Sequence, residues 1–335
     1  MRSSQIAHLC TACNLGTPLG VPQAVPGGFL HAMWRLQTTQ GTYAVKQLNA
    51  ALMRQTDMDD FYRQTERIAV AMAENGIPAV VALSCQGDIL QRYEDDAFLV
   101  SRWIDGEPLP LSDITSDRAH QMGSMLARMH VLKISQAGLI PLQWKPFSDD
   151  DWDMLTIHAA DMGVSWAYQI RAALPRLIEW SRWYEEAGKR LSRTLVVSHC
   201  NLDPMNVIWQ NAHSFSIVDW ESAGLINPTV ELVETALCWS GLTEGKPVKE
   251  RFTALIQGYI QAGGVVQETG HNALRGCIGI WLGWLLFNMS RSLGIVVSND
   301  EERQFAIKQT LQTLAIVRSL AANVETWAGW IDEQL

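Results

Sequence analysis

Ser198-His199-Cys200-Asn201-Leu202-Asp203-Pro204-Met205-Asn206-Val207-Ile208-Trp209 has the residue types and spacing that phosphoryl transfer from a nucleotide needs, and Ile217-Val218-Asp219-Trp220-Glu221 follows at short range. Such a site must neutralise triphosphate charge with a divalent metal and hold an acceptor hydroxyl in line. A recurrent solution is His-x-Asp-x-x-x-x-Asn on a loop, with a second aspartate after a short hairpin. Asn206 occupies the metal-binding asparagine position and Asp219 the second aspartate position. Val207-Ile208-Trp209 and Phe215-Ser216-Ile217-Val218 are rich in strand formers and flank a polar turn, Gln210 to Ser214, which predicts a hairpin. Its mouth would bring Asn206 and Asp219 together to share magnesium. Where the pattern calls for the catalytic aspartate, the residue is Asn201. Asparagine can orient a hydroxyl but cannot accept its proton at neutral pH. Asp203, two residues on, offers either a substitute carboxylate or a cap for the turn before Pro204. His199 reads as a buried residue bracing the loop.

The preceding half of the chain supplies elements that could position a nucleotide. Thr42-Tyr43-Ala44-Val45-Lys46 is a strand-type run ending in a lysine suited to phosphate oxygens. One hairpin upstream lie Gly27 and Gly28, adjacent glycines that let backbone amides approach phosphate closely. A helix is predicted from Asp59 to Asn75, stopped by Gly76-Ile77-Pro78. Phe61, Ile68, Ala69 and Met72 make its buried face. Glu66 can then point toward the sheet as a partner for Lys46, with a surface ion pair as its alternative. Ala97 to Ile104 reads as a strand, broken by Asp105-Gly106-Glu107-Pro108. Backbone groups at Arg102, Trp103 and Ile104 would meet the adenine edge.

With these pieces in order, the chain resembles the aminoglycoside phosphotransferase and choline kinase group from about Val25 to Asn288. The residues carrying the resemblance are Ala44-Val45-Lys46, Glu66 with Gly76-Ile77-Pro78, and His199 to Asn206. Asp219-Trp220-Glu221-Ser222-Ala223-Gly224, Asn227-Pro228, Glu231-Leu232 and the helix Met122 to His130 complete the set. The resemblance implies an α+β, two-lobed protein-kinase-like fold. Residues 1–104 would form a small β-rich nucleotide-binding lobe. Residues 105–335 would form a large, mostly helical catalytic and acceptor-binding lobe. It also implies Mg2+, with ATP or GTP as donor. Asn201 is the main departure, and it keeps three readings open: a small-molecule kinase, a nucleotide-binding pseudokinase, and an impaired copy of an active enzyme.

A chain of 335 residues, 47% of them hydrophobic, can build two separate cores. The longest apolar run, Cys277 to Phe287, is too short to span a bilayer. The N-terminus lacks a charged-then-apolar layout, so secretion is not expected. Six cysteines at scattered spacings predict reduced thiols in a cytoplasm. Cys10-Thr11-Ala12-Cys13 has no second pair nearby to make a metal site. A monomer or weak homodimer is expected.

Residues 1–104 carry a net charge of −1 and residues 105–335 a net of −8. Nucleic acid, which needs a basic face, is not expected as a partner. A cationic or neutral polyhydroxy acceptor fits better, in an acidic cleft lined by Asp203, Glu221 and either Glu231 or Trp239. Acidic surface can equally serve solubility. Tryptophan is concentrated in the same half, with 12 of the 14 beyond Ile104. Aromatic faces bind protonated amines, although Trp281 and Trp284, with Leu285, read as core packing.

Overall fold

The computed structural model describes residues 1–26, 30–140, 144, 147–297 and 299–335. The architecture is α+β, with two lobes of the protein-kinase type. One compact unit comprises Met1–Pro108, Asn206–Ser222 and Val296–Glu302; the other comprises Leu109–Met205, Ala223–Ile295 and Arg303–Leu335.

The first unit opens with helix α1 (Ser3–Ala12) and strands β1 (Gln23–Val25), β2 (Ala32–Thr38) and β3 (Gly41–Gln47). Helix α2 (Met58–Glu74) and strands β4 (Leu90–Tyr93) and β5 (Asp96–Arg102) follow. The sheet runs β1-β2-β3-β5-β4, every pairing antiparallel. Residues on β5 alternate between its faces. Phe98 and Val100 pack with Ile6, Leu9 and Leu36, whereas Ala97 and Leu99 pack with Leu48, Met53 and Tyr62. The sheet is thus covered on both faces.

Helix α2 stops where Gly76 adopts a φ of +79°, as its sequence signal predicts. Its buried stripe is Tyr62, Thr65, Ile68, Ala69 and Met72. Phe61, expected in that stripe, is 45% exposed. Ile68, Ala69 and Met72 are buried as expected; only the first member differs, with Tyr62 in place of Phe61, and the Tyr62 hydroxyl meets His31 inside.

Strand β6 (Glu107–Pro108) pairs with β8 (Val207–Trp209), and β8 pairs with β9 (Phe215–Ile217). This pairing requires the glycine at position 106. A Cβ there would lie 2.4 Å from the Trp209 carbonyl oxygen.

Cys13 and Cys85 form a disulfide across a sequence separation of 72 residues, which corrects the expectation of six reduced thiols. Cys13 caps the end of α1. Cys85 closes the tight turn around Gln86 and Gly87, pairing with Asp88 through two backbone hydrogen bonds.

The second unit carries helix α3 (Ser116–His130), α4 (Asp149–Asp161) and α5 (Ala167–Leu191), then a two-stranded ladder of β7 (Val196–Ser198) and β10 (Gly224–Ile226). Helices α6 (Pro228–Ser240), α7 (Lys249–Gln261), α8 (Gly270–Ser292), α9 (Asp300–Ala322, whose first turn falls in the first unit) and α10 (Val324–Asp332) complete the chain. At the centre is α6. Asn227 caps it by accepting the Thr229 and Val230 N–H groups, Pro228 occupies its first turn, and every residue but Glu234 is buried. A helix apolar on all sides belongs in a core. Among the described residues, no helix is long and apolar enough to cross a membrane.

Candidate active site

In the first unit the hairpin β8–β9 places Asn206 and Asp219 at its mouth. The Val218 N–H donates to the Asn206 carbonyl at 2.9 Å, and Val207 pairs with Ile217. The exit of α2 is stitched to the same hairpin: Val80 N–H donates to Ile217 O, and Ile217 N–H donates to Pro78 O, each at 2.8 Å. Asp219 has a φ of +63°. Such a conformation is uncommon outside glycine, and when it persists it marks a segment over-determined by its surroundings.

Lys46 leaves β3 and binds two carboxylates. Its Nζ is 2.5 Å from Asp219 Oδ1 and 2.7 Å from Glu221 Oε2. Burial alone would lower its pKa, but the two carboxylates outweigh that and raise it. Glu66 sits elsewhere, its Oε2 accepting the Ala82 N–H at 2.9 Å. Burial raises the Glu66 carboxyl against that hydrogen bond and the Lys46 charge. In place of the anticipated Lys46–Glu66 pair, the lysine is thus held by Asp219 and Glu221. Glu221, expected to face the acceptor, is 3.0 Å from His31 Nε2 as well as bound by Lys46. Burial would raise its carboxyl, yet Lys46 and His31 hold it well below the usual range.

The expected adenine-facing strand end is ordered by cation–aromatic stacking. Arg102 lies over the Tyr43 ring and Arg35 over the Trp103 ring. The Trp103 N–H already donates to Thr42 O, and Ile104 follows it, half-buried. Gly27 and Gly28 lie outside the described residues.

In the second unit the loop after β7 is held from beneath. Cys200 adopts a φ of +61°, and its N–H donates to Glu231 Oε1 at 2.7 Å. The other Glu231 oxygen lies 2.8 Å from His130 Nε2, and His130 Nδ1 lies 2.9 Å from the Tyr259 hydroxyl. Glu231 is 1% exposed. Burial would raise its carboxyl, but His130 and the Cys200 N–H outweigh burial and lower it. Trp239 is fully buried and donates its Nε1–H to the Leu202 carbonyl. Glu231 and Trp239, expected to contact the acceptor, therefore brace the loop instead. Its other residues are His199, fully buried, and Asn201, whose carbonyl accepts the Asp203 N–H at 2.8 Å. Asp203 Oδ1 accepts the Met205 N–H at 2.9 Å, which is the turn-capping role open to it in the sequence. Burial raises its carboxyl against that N–H.

Sequence reasoning missed His31, Tyr62, His130, Tyr259 and Glu234. Burial pushes Glu234 up to about 7, opposed by the Cys238 thiol and assisted by the charges of Asp203 and Glu231. Of these, only Glu234 carried a legible signal, an acid one turn from Glu231 in a mostly apolar helix.

Among the described residues, no three His, Cys, Asp or Glu side chains gather as a metal cage. Magnesium does not need one. It uses one or two protein oxygens and completes its shell with phosphate and water. Asn206 and Asp219 each carry an oxygen donor of that kind, and the backbone bond from Val218 to Asn206 sets the two residues at one hairpin mouth.

The two lobes have the protein-kinase-like fold. The chain belongs to the phosphotransferase enzyme family, matching it over residues 22–276; this is the aminoglycoside phosphotransferase and choline kinase group. No curated protein sequence matches it. A solved spectinomycin phosphotransferase in complex with ADP and spectinomycin is similar in fold, with TM-score 0.71, 13% identity, and coverage of 100% of this chain and 99% of that one. An ethanolamine kinase of Plasmodium vivax aligns with TM-score 0.61 at 16% identity, covering 90% of this chain and 83% of its own. A choline kinase of Cryptosporidium parvum aligns with TM-score 0.60 at 10% identity, covering 99% of each.

Proposed function

We propose that this chain transfers a phosphoryl group from magnesium-bound ATP or GTP to a hydroxyl of a small molecule. The observation that carries this reading is the convergence of Lys46, Asp219 and Asn206 on one hairpin mouth. Lys46 offsets phosphate charge, and Asn206 and Asp219 hold the metal. Bound magnesium supplies charge neutralisation across the phosphates. Asn201 orients the acceptor hydroxyl. The chain's net of −8 over residues 105–335 favours an acceptor that is cationic or neutral. Spectinomycin, ethanolamine and choline, the acceptors in the names of the structural neighbours, each combine a hydroxyl with a basic or quaternary nitrogen.

Asn201 favours a second reading, a pseudokinase that binds nucleotide without turnover. A nucleotide-consumption screen across amino-alcohols, aminoglycosides and sugars separates the two. Thermal-shift titration with ATP and GTP, with and without magnesium, tests what both require. Magnesium-dependent stabilisation that disappears in Asp219→Ala supports nucleotide binding. No shift with either nucleotide refutes both readings.

A further inference from the structure

Lys46 and Glu66 do not meet as an ion pair, yet the lysine is not loosely held. Its Nζ binds Asp219 and Glu221, and Glu221 is itself gripped from behind. The grip starts at the backbone. The Asn49 N–H donates to His31 Nδ1 at 2.9 Å, so the ring carries its proton on Nε2. That proton is shared between Glu221 Oε2 at 3.0 Å and the Tyr62 hydroxyl oxygen at 2.9 Å. His31 and Tyr62 are 5% and 2% exposed, and their rings meet edge-on. Asn49 is fixed too, its side-chain oxygen accepting the N–H groups of Ala51 and Leu52. All these residues belong to the first unit.

We propose that Glu221, fixed by His31, is the positioning residue for Lys46. It does from the hairpin side what a carboxylate on α2 was expected to do. The inference rests on the reading of Lys46 as the phosphate-binding lysine. An ammonium has three donors. If Asp219 turns to metal, a lysine held by Asp219 alone loses its anchor. With Glu221 retained, one donor stays fixed and the other two are free for phosphate oxygens. Glu66 stays on Ala82 throughout, holding the chain at the exit of α2.

The test is the rate at which Lys46 in the full chain is acetylated by an amine-directed reagent, followed by mass spectrometry. The rate reads how tightly the ammonium is held and does not require turnover. Glu221→Gln should accelerate it by roughly tenfold or more, the scale of a broken buried ion pair. His31→Ala should act in the same direction. His31→Gln replaces the Nε2–H with an amide N–H and should stay near the parent rate, as should Glu66→Gln. Unfolding curves for each variant check that the fold is kept. Acceleration in Glu66→Gln without acceleration in Glu221→Gln would overturn the proposal. So would equal acceleration by His31→Gln and His31→Ala, which would reduce His31 to a packing residue. Repeating the parent measurement with Mg-ADP separates the underlying reading. Slowing by ADP supports the phosphate role of Lys46. No slowing would sink that role while leaving the Glu221 brace decided by the variants.

Discussion

Replacing Glu231 with alanine should cost about 3–5 kcal/mol of stability, the range for removing one member of a buried hydrogen-bonded pair. The figure can be built from its partners. Glu231 accepts the Cys200 N–H through Oε1, and its Oε2 lies 2.8 Å from His130 Nε2. Each buried group left without a partner costs about 1–3 kcal/mol, and two are orphaned together. Glu231→Gln keeps the shape and should cost less, about 1–2 kcal/mol. Its amide oxygen can still accept from Cys200. Its amide nitrogen can face His130 if that ring carries its proton on Nδ1, toward Tyr259.

The pH dependence has a definite sign. The folded carboxyl is depressed, so its contribution is present above the ordinary glutamate value of about 4.3. It is lost as pH falls through the lower folded value. The stability gap between the parent chain and Glu231→Gln should therefore be constant near neutrality and narrow below about pH 4. Urea unfolding of the three proteins across that range measures it. An alanine variant within about 1 kcal/mol of the parent, or a gap unchanged at acid pH, would refute the account of how the loop is held.

Asn201→Asp should raise turnover at least about tenfold with nucleotide affinity little changed, because only a proton acceptor is added. If Asp203 already serves as base, steady-state kinetics will instead show Asp203→Asn abolishing activity and Asn201→Asp doing little. Gly258→Ala should lower stability by about 2 kcal/mol or more in a thermal melt, because its Cβ would lie 2.1 Å from the His120 carbonyl oxygen where α7 meets α3. Thiol titration of the unreduced, denatured chain should find four reactive cysteines, Cys10, Cys200, Cys238 and Cys277. Reducing the Cys13–Cys85 bond should cost about 4 kcal/mol, the chain-entropy value for closing 72 residues.

Local patterns made much of the fold legible. The strand-type run at β5, the glycine stop after α2, and the polar turn between two short apolar runs each specify an element without reference to distant residues. Partner choice was not legible in the same way. Glu66 and Glu221 are both acids that a chain could bring near Lys46. Which one binds depends on where the α2 exit lies against Ala82, a tertiary fact. His31 had no signal, since a single histidine after a glycine pair gives no clue to a backbone donor at Asn49. The disulfide was invisible for a similar reason, because nothing local relates the end of α1 to a turn 72 residues on. Glu231 was the readable case. In a helix where the remaining first-turn residues are apolar or capping, a charge must be paired inside, and assigning it to an acceptor overlooked that burial.

The bracing of the loop bears on whether Asn201 sits in a working site. Cys200 is held at a φ of +61°, a conformation that costs a non-glycine residue about 1–3 kcal/mol. Such strain persists only where other bonds fix it. Here the Glu231 bond to the Cys200 N–H and the Trp239 bond to the Leu202 carbonyl clamp the loop on both sides of Asn201. These braces do not depend on which side chain occupies position 201. The loop is therefore clamped with asparagine there, and what asparagine lacks beside aspartate is a proton acceptor. In the proposed reaction, governed by positioning and charge, that lack would slow turnover and leave the loop's braces intact. For the proposed function, a loop clamped on both sides of Asn201 therefore favours a slowed enzyme over a scaffold.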